Sequence, residues 1–302
     1  MPINRSNIRD FLLPGLAGIE GKYPMIPARY KDFLSVGTSK MAVERFVEAR
    51  YTGLAQLKNE GGATVFDNAP GQRFVYNLEH RAVGLGFAQT RESLDDNLYK
   101  ESFAPQSMGL LESFAQTKDI FAAQLLNTGL TLNPMIGGDG VALFATNHPI
   151  DNGVYANTLS VPLDLNESAL ETTLNAIRTF PDQAGLLVLS RGRKMIVPLN
   201  LQWAAERLTK TELRTGTANN DISAIVSTGA LSEGYSVNEF LTSNFAWFVL
   251  TNIRGLVYYD RVGFEMDLQV DPTTGNLMVI GYERYGIGYK NPRAAFAHYP
   301  TA

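Results

Sequence analysis

Phe74-Val-Tyr-Asn-Leu-Glu-His-Arg-Ala-Val-Gly-Leu-Gly-Phe-Ala88 is the stretch from which the rest of the chain is read. Phe74, Tyr76 and Leu78 alternate with Val75, Asn77 and Glu79, and Val83, Leu85 and Phe87 alternate with Gly84, Gly86 and Ala88. Period two predicts two strands, and Glu79-His-Arg81 between them predicts the turn of a β-hairpin. One face is apolar and the other small or polar. A lone hairpin is marginal in water, so this one is expected to project from the body and lie on a partner.

Upstream, residues 1 to 37 are punctuated by Pro14, Pro24 and Pro27 and by Gly15, Gly18, Gly21 and Gly37. Proline removes a donor and restricts its predecessor, so no long helix or central strand fits. Yet Phe11, Leu12, Leu13, Tyr23, Tyr30 and Phe33 make the segment too apolar for a solvated tail. It reads as an extended arm lying on a surface, its own or a neighbour's. Residues 43–57 suit either a strand or a short helix, and periodicity does not separate the two.

Downstream, Thr90 or Ser93 opens a helical stretch, with Asp95 and Asp96 where a helix N-terminus favours negative charge. Leu111, Phe114, Lys118, Phe121 and Leu125 then recur at helical spacing and predict a long helix over about 106–128, ending near Gly129. Ser168-Ala-Leu-Glu171 has the form of a capping box, with Leu170, Leu174 and Ile177 giving its helix an apolar face. Leu186-Leu-Val-Leu189 and Met195-Ile-Val197 read as short buried strands, and a helix is expected around Trp203–Leu208. Residues 209–235 are polar and rich in Gly, Thr and Asn, and read as loop with room for one short strand. From Phe240 the pattern is β to the end, with Asp271-Pro-Thr-Thr-Gly275 as a hairpin turn. The fold class is α+β.

Composition excludes several functions. The chain has 302 residues, 45% of them hydrophobic and 19% charged, which suffices for a large core. A net charge of −4 with scattered basic residues does not suit a protein that grips nucleic acid through its phosphates. Without cysteine there is no disulfide, thiolate nucleophile or cysteine metal site. No apolar run approaches the length of a membrane span, and no secretory signal is expected.

Catalytic templates come back empty. His80, His148 and His298 are far apart, and none has a partner at metal-ligand spacing. His148 reads as a turn residue ahead of Pro149. Gly137-Gly-Asp-Gly140 hints at a phosphate cradle but lacks the Gly-Lys-Ser/Thr ending. Gly84 and Gly86 fail the dinucleotide fingerprint and better suit close backbone approach in a strand. Glu92 with Asp95 and Asp96 is explained by a helix start without a cation. No catalytic, cofactor-binding or metal residue is assigned, and the chain reads as a structural protein.

Ser39–Arg50, Leu57-Lys-Asn-Glu-Gly-Gly62, Gly84-Leu-Gly-Phe-Ala-Gln-Thr90 with Asp95-Asp-Asn-Leu-Tyr99, Gly137–Phe144 with Thr146-Asn-His-Pro149, and Asn219-Asn-Asp221 occur in that order before the strand-rich Gly255–His298. This order resembles the major capsid proteins of tailed phages with the Hong Kong ninety-seven type fold, and is similar to the Mu-like major head subunit group. The resemblance implies an N-terminal arm at 1–50, an extended loop at 51–92, a discontinuous peripheral domain at 93–180 and 252–302 with the long helix as spine, and an axial domain at 181–251. It implies self-assembly through hexamers and pentamers into an icosahedral shell, with scaffold, portal or decoration proteins as further partners. The shell would enclose double-stranded DNA without reading its sequence, be assembled in the host cytoplasm, and need no cofactor. Some such shells carry Lys–Asn isopeptide cross-links, for which Lys58 and Asn291 stand as candidates. A nanocompartment shell around an enzyme, a hydrolase with an unrecognised site and a tail protein remain alternatives.

Overall fold

The computed structural model describes residues 18–23, 27–67, 71–95, 99–133, 136–212 and 222–301, with backbone alone at 94–95 and 99–102. The apolar positions at 11–16 and 25–26, Asp96, and Asn219 to Asp221 lie outside the described residues.

Strand β1 (Ser35–Thr38) leads into β2 (Val43–Arg50), β3 (Gly71–Glu79) and β4 (Arg81–Gln89). A short helix α1 (Arg91–Asp95) precedes the long α2 (Tyr99–Asn127). A two-stranded ribbon, β5 (His148–Ile150) and β6 (Gly153–Tyr155), then precedes α3 (Glu167–Arg178), β7 (Gly192–Val197) and α4 (Gln202–Lys210). After α5 (Ala224–Ser227) come β8 (Tyr235–Val237), β9 (Trp247–Thr251), β10 (Leu256–Val270), β11 (Leu277–Tyr289) and β12 (Ala295–His298). One sheet has the order β1-β10-β11-β4, a second the order β12-β9-β7-β8, and β2-β3 stand apart as a ribbon.

The expected hairpin of 74–88 does not form. β3 pairs with β2, from Val43 opposite Glu79 to Arg50 opposite Gly71, whereas β4 pairs with β11. The chain changes sheets at His80, which is buried. Period two marks a strand but does not name its partner, and β2 conceals its role. Its inward positions are Glu44, Phe46, Glu48 and Arg50, while Val43 and Val47 face out. The arm is therefore β2 and β3, with residues 51–67 leading away from the end of β2.

Helix α2 crosses the first sheet. Phe103, Leu110 and Phe114 pack with Leu268, Leu277 and Val279 near one end, and Ala122 and Leu126 join Tyr258, Tyr285 and Phe144 near the other. Gly281 admits the helix, since a Cβ there would lie 2.6 Å from the Phe114 ring. The helix begins before Pro105, seven residues earlier than the periodicity suggests. Its buried row turns to Ala122 and Leu126, leaving Phe121 exposed. The arm segment at 27–38 belongs to the chain's own body: Tyr30, Phe33 and Leu34 are buried, and β1 runs parallel to β10.

The second sheet separates two cores. Phe248 and Leu250 of β9 enter the core shared with α2, and Trp247 and Val249 enter a core with Leu170, Leu174 and Ile177 of α3. Helix α3 is capped by Asn166, whose Oδ1 accepts the Ala169 N–H at 2.8 Å, rather than by Ser168. Residues 186–189 are not a buried strand. Leu187, Val188 and Leu189 are exposed, and Leu189 has φ 54°. Apolar composition alone did not separate a core strand from a surface loop.

His298 pins β12 to α3. Its Nδ1 accepts the Leu163 N–H at 3.2 Å, so Nε2 carries the proton and donates to Thr173 Oγ1 at 2.8 Å. The ring stacks on Trp247 at 4.2 Å. Burial lowers its pKa from 6.5 to about 4. The unfolded chain thus binds a proton that the folded chain excludes, and stability present above pH 6.5 is lost as pH falls toward 4. The loss is on the order of 3 kcal/mol. Denaturant titrations at pH 7 and 4.5 are expected to show this difference in the wild type and a smaller one in His298→Gln.

Candidate assembly surfaces

The polar centre of the body lies under the N-terminal segment. Lys118 of α2 meets Glu283 of β11 at 2.9 Å, with side chains 6% and 0% exposed. Rings of Tyr23, Tyr30, Tyr258 and Tyr285 surround the ammonium at 5.1–5.9 Å. Tyr23 also donates to Glu283 Oε2 at 3.2 Å. Burial pushes the Glu283 carboxyl up, and Lys118 opposes that shift. Burial also pushes the Tyr30 hydroxyl up to about 12. Alongside, Asp119 accepts the Tyr30 N–H at 2.9 Å. One cation thus joins the N-terminal segment, the long helix and the first sheet. The sequence held a signal for it: Lys118 interrupts the apolar row of the helix and needs a buried anion.

The histidines are structural. His148 is fully buried, with Nδ1 2.6 Å from Asp139 Oδ2, Nε2 3.1 Å from Asn157 Oδ1, and its ring stacked on Tyr155. It opens β5 rather than occupying a solvent turn. His80 is buried at the sheet crossing, where burial lowers its pKa.

The Gly137–Gly140 loop grips the arm. Gly138 donates its N–H to Val75 O at 2.9 Å, and a Cβ there would lie 2.1 Å from the Tyr76 ring. Gly86 sits in β4, where a Cβ would meet Val279 O at 2.6 Å, in keeping with close backbone approach. Glu92 is exposed on α1. Lys58 is exposed beyond β2, whereas Asn291 Oδ1 accepts the Arg293 N–H at 3.0 Å. Among the described residues, no group of three or more His, Asp or Glu could hold a metal, and no helix is long and apolar enough to cross a membrane.

The far end of the arm exposes several apolar side chains. Beyond Arg50 the described loop presents Tyr51, Leu54, Leu57, Val65 and Phe66 to solvent, with Leu57 fully exposed and Phe66 83% exposed. Such an apolar group at the end of a ribbon marks a surface made to be covered.

A family model described as phage capsid protein matches residues 81–297, well over half of the chain. The chain belongs to that family. No curated protein matches the sequence. Among solved structures, this capsid protein is similar to the virus-like particle from Pyrococcus furiosus, with 14% identity, a TM-score of 0.53, and coverage of 94% of this chain and 98% of that one. It is also similar to the procapsid of bacteriophage JBD30, with 13% identity, a TM-score of 0.52, and coverage of 98% and 76%. A third likeness is to Mycobacterium phage Che8, with 14% identity, a TM-score of 0.53, and coverage of 90% of each chain. At these identities the likeness is one of fold, and the capsid protein shares its mixed helix-and-sheet body with all three. Family membership makes it a structural subunit of the capsid shell in the virion.

The Lys118 pair makes a direct stability test of this capsid protein. Lys118→Met leaves Glu283 buried and unpaired, which costs about 3–5 kcal/mol. Chemical denaturation is expected to show that loss, with much of it recovered in the double variant Lys118→Met/Glu283→Leu.

Proposed function

We propose that this capsid protein builds the wall of an icosahedral phage head on the Hong Kong ninety-seven plan. Residues 1–50 then form the N-terminal arm, ending in β2, and residues 51–92 the extended loop, whose strand β3 pairs with β2. The peripheral domain is 93–180 with 252–302, its spine α2, and the axial domain is 181–251. Hexamers and pentamers of the subunit close the shell in the host cytoplasm, with scaffold, portal and decoration proteins as additional partners.

The observation that carries this reading is the arm. An apolar end on a two-stranded ribbon is a liability in a monomer and an asset in a shell, where each copy's arm is covered by its neighbour. Contacts of that kind in obligate assemblies bury on the order of 2,000–5,000 Å². The low net charge suits a wall around DNA that does not hold it by its phosphates.

The test is the double variant Leu57→Ser/Phe66→Ser. Both side chains are exposed in the isolated subunit, so the unfolding temperature is expected to stay within about 2 °C of wild type. Shell yield by light scattering and electron microscopy is expected to fall at least tenfold. Unchanged shell yield would overturn the role given to the arm.

A further inference from the structure

Where the arm leaves the body, two carboxylates hold it. Glu48 of β2 accepts from Arg293 Nη1 at 2.6 Å, from Gln183 Nε2 at 2.8 Å and from Tyr76 Oη at 3.4 Å. Arg293 is itself immobilised. Its Nε donates to Pro181 O at 2.6 Å, and its guanidinium lies 4.2 Å from the Tyr155 ring centre. The charged side chains of this node are 3% and 12% exposed.

The second node reverses the polarity. Asp151, in the turn between β5 and β6, pairs with one arginine from each strand of the arm: Arg50 of β2 and Arg73 of β3, the latter at 3.3 Å. The Asp151 N–H donates to Gln183 O at 3.2 Å, so Gln183 touches both nodes. Closer to the body, apolar packing already anchors the arm, with Tyr76 buried and Phe46 5.7 Å from the Tyr259 ring. The two nodes are thus not needed to make the strands pair. They stand where the paired ribbon ends and the loop from residue 51 begins.

We propose that this pair of nodes is a clamp that sets the angle at which the arm leaves the body, and so decides where its apolar end lands on the neighbouring subunit. The second half rests on the shell reading above; the first does not. Residues 51–67 carry no strand, and the roughly ten residues from Arg50 to the middle of the loop reach at most about 30 Å from the clamp. A swing of about 10° then moves that part of the loop by up to about 5 Å, the spacing of neighbouring strands, enough to lose its contacts. The more exposed Asp151 node is weakened by salt, while the buried Glu48 node is not. Salt alone therefore leaves the clamp half closed.

The test compares the full chain with Glu48→Gln, Asp151→Asn and the double variant, each shown to be folded by circular dichroism. On unassembled subunits, hydrogen exchange in β2 and β3 and limited proteolysis within 51–67 read the arm directly. In the double variant, cleavage is expected to speed up at least tenfold and assembled particles to spread in diameter. If Glu48→Gln fails to fold, Asp151→Asn, at the more exposed node, is read alone, with a threefold faster cleavage expected. Wild-type exchange and cleavage in the folded variants would overturn the clamp. A loosened arm with wild-type diameters would overturn its control of assembly. Wild-type chains that form no particles would count against the shell reading, while the subunit measurements would still decide the clamp.

Discussion

A lysine buried among four tyrosine rings and paired with one glutamate is the contact on which this structure turns. Lys118 lies on the long helix, Glu283 and Tyr285 on β11, Tyr258 on β10, and Tyr23 and Tyr30 on the N-terminal segment. Removing two charges from water is costly, and a hydrophobic replacement of equal shape can be as stable. What the ion pair adds is register. A charge in the apolar row of a helix can be satisfied at one place along the sheet, and that place fixes how α2 lies on β10 and β11. The aromatic faces offset part of the desolvation through the ring quadrupoles.

With helix and sheet locked, the remaining elements take positions relative to them. Four of the five buried residues of β9, Trp247 to Leu250, face two cores in alternation, so the region around α3 and α4 is joined to the spine by a shared sheet rather than by a flexible linker. The Gly137–Gly140 loop, held by Asp139 to His148, brings its backbone against Val75 and Tyr76 and seats the root of the arm. A body joined through shared sheets, with a two-stranded ribbon seated on it, suits a shell subunit.

Much of this was legible in the sequence. The long helix, the closing strands and the turn at Asp271–Gly275 each have local causes, namely apolar periodicity and an aspartate that accepts from Thr273 and Thr274. What escaped was non-local. The strands around His80 have the right period, but only the folded chain shows that β3 turns to β2 and β4 to β11. Glu48 and Arg50 carried no assigned role in the sequence, and only the fold brings Arg293, 245 positions away along the chain, and Asp151 to them. Leu187 to Leu189 misled, since an apolar run on a loop is indistinguishable from a core strand until its exposure is known.

The most direct test of the central claim is electron microscopy of the full chain, purified alone and sized first by light scattering across concentration and salt. A shell subunit is expected to give closed particles, or rings of five and six copies, whose walls accommodate the body with the arm laid across a neighbour. A monodisperse monomer at every concentration and salt would contradict the account.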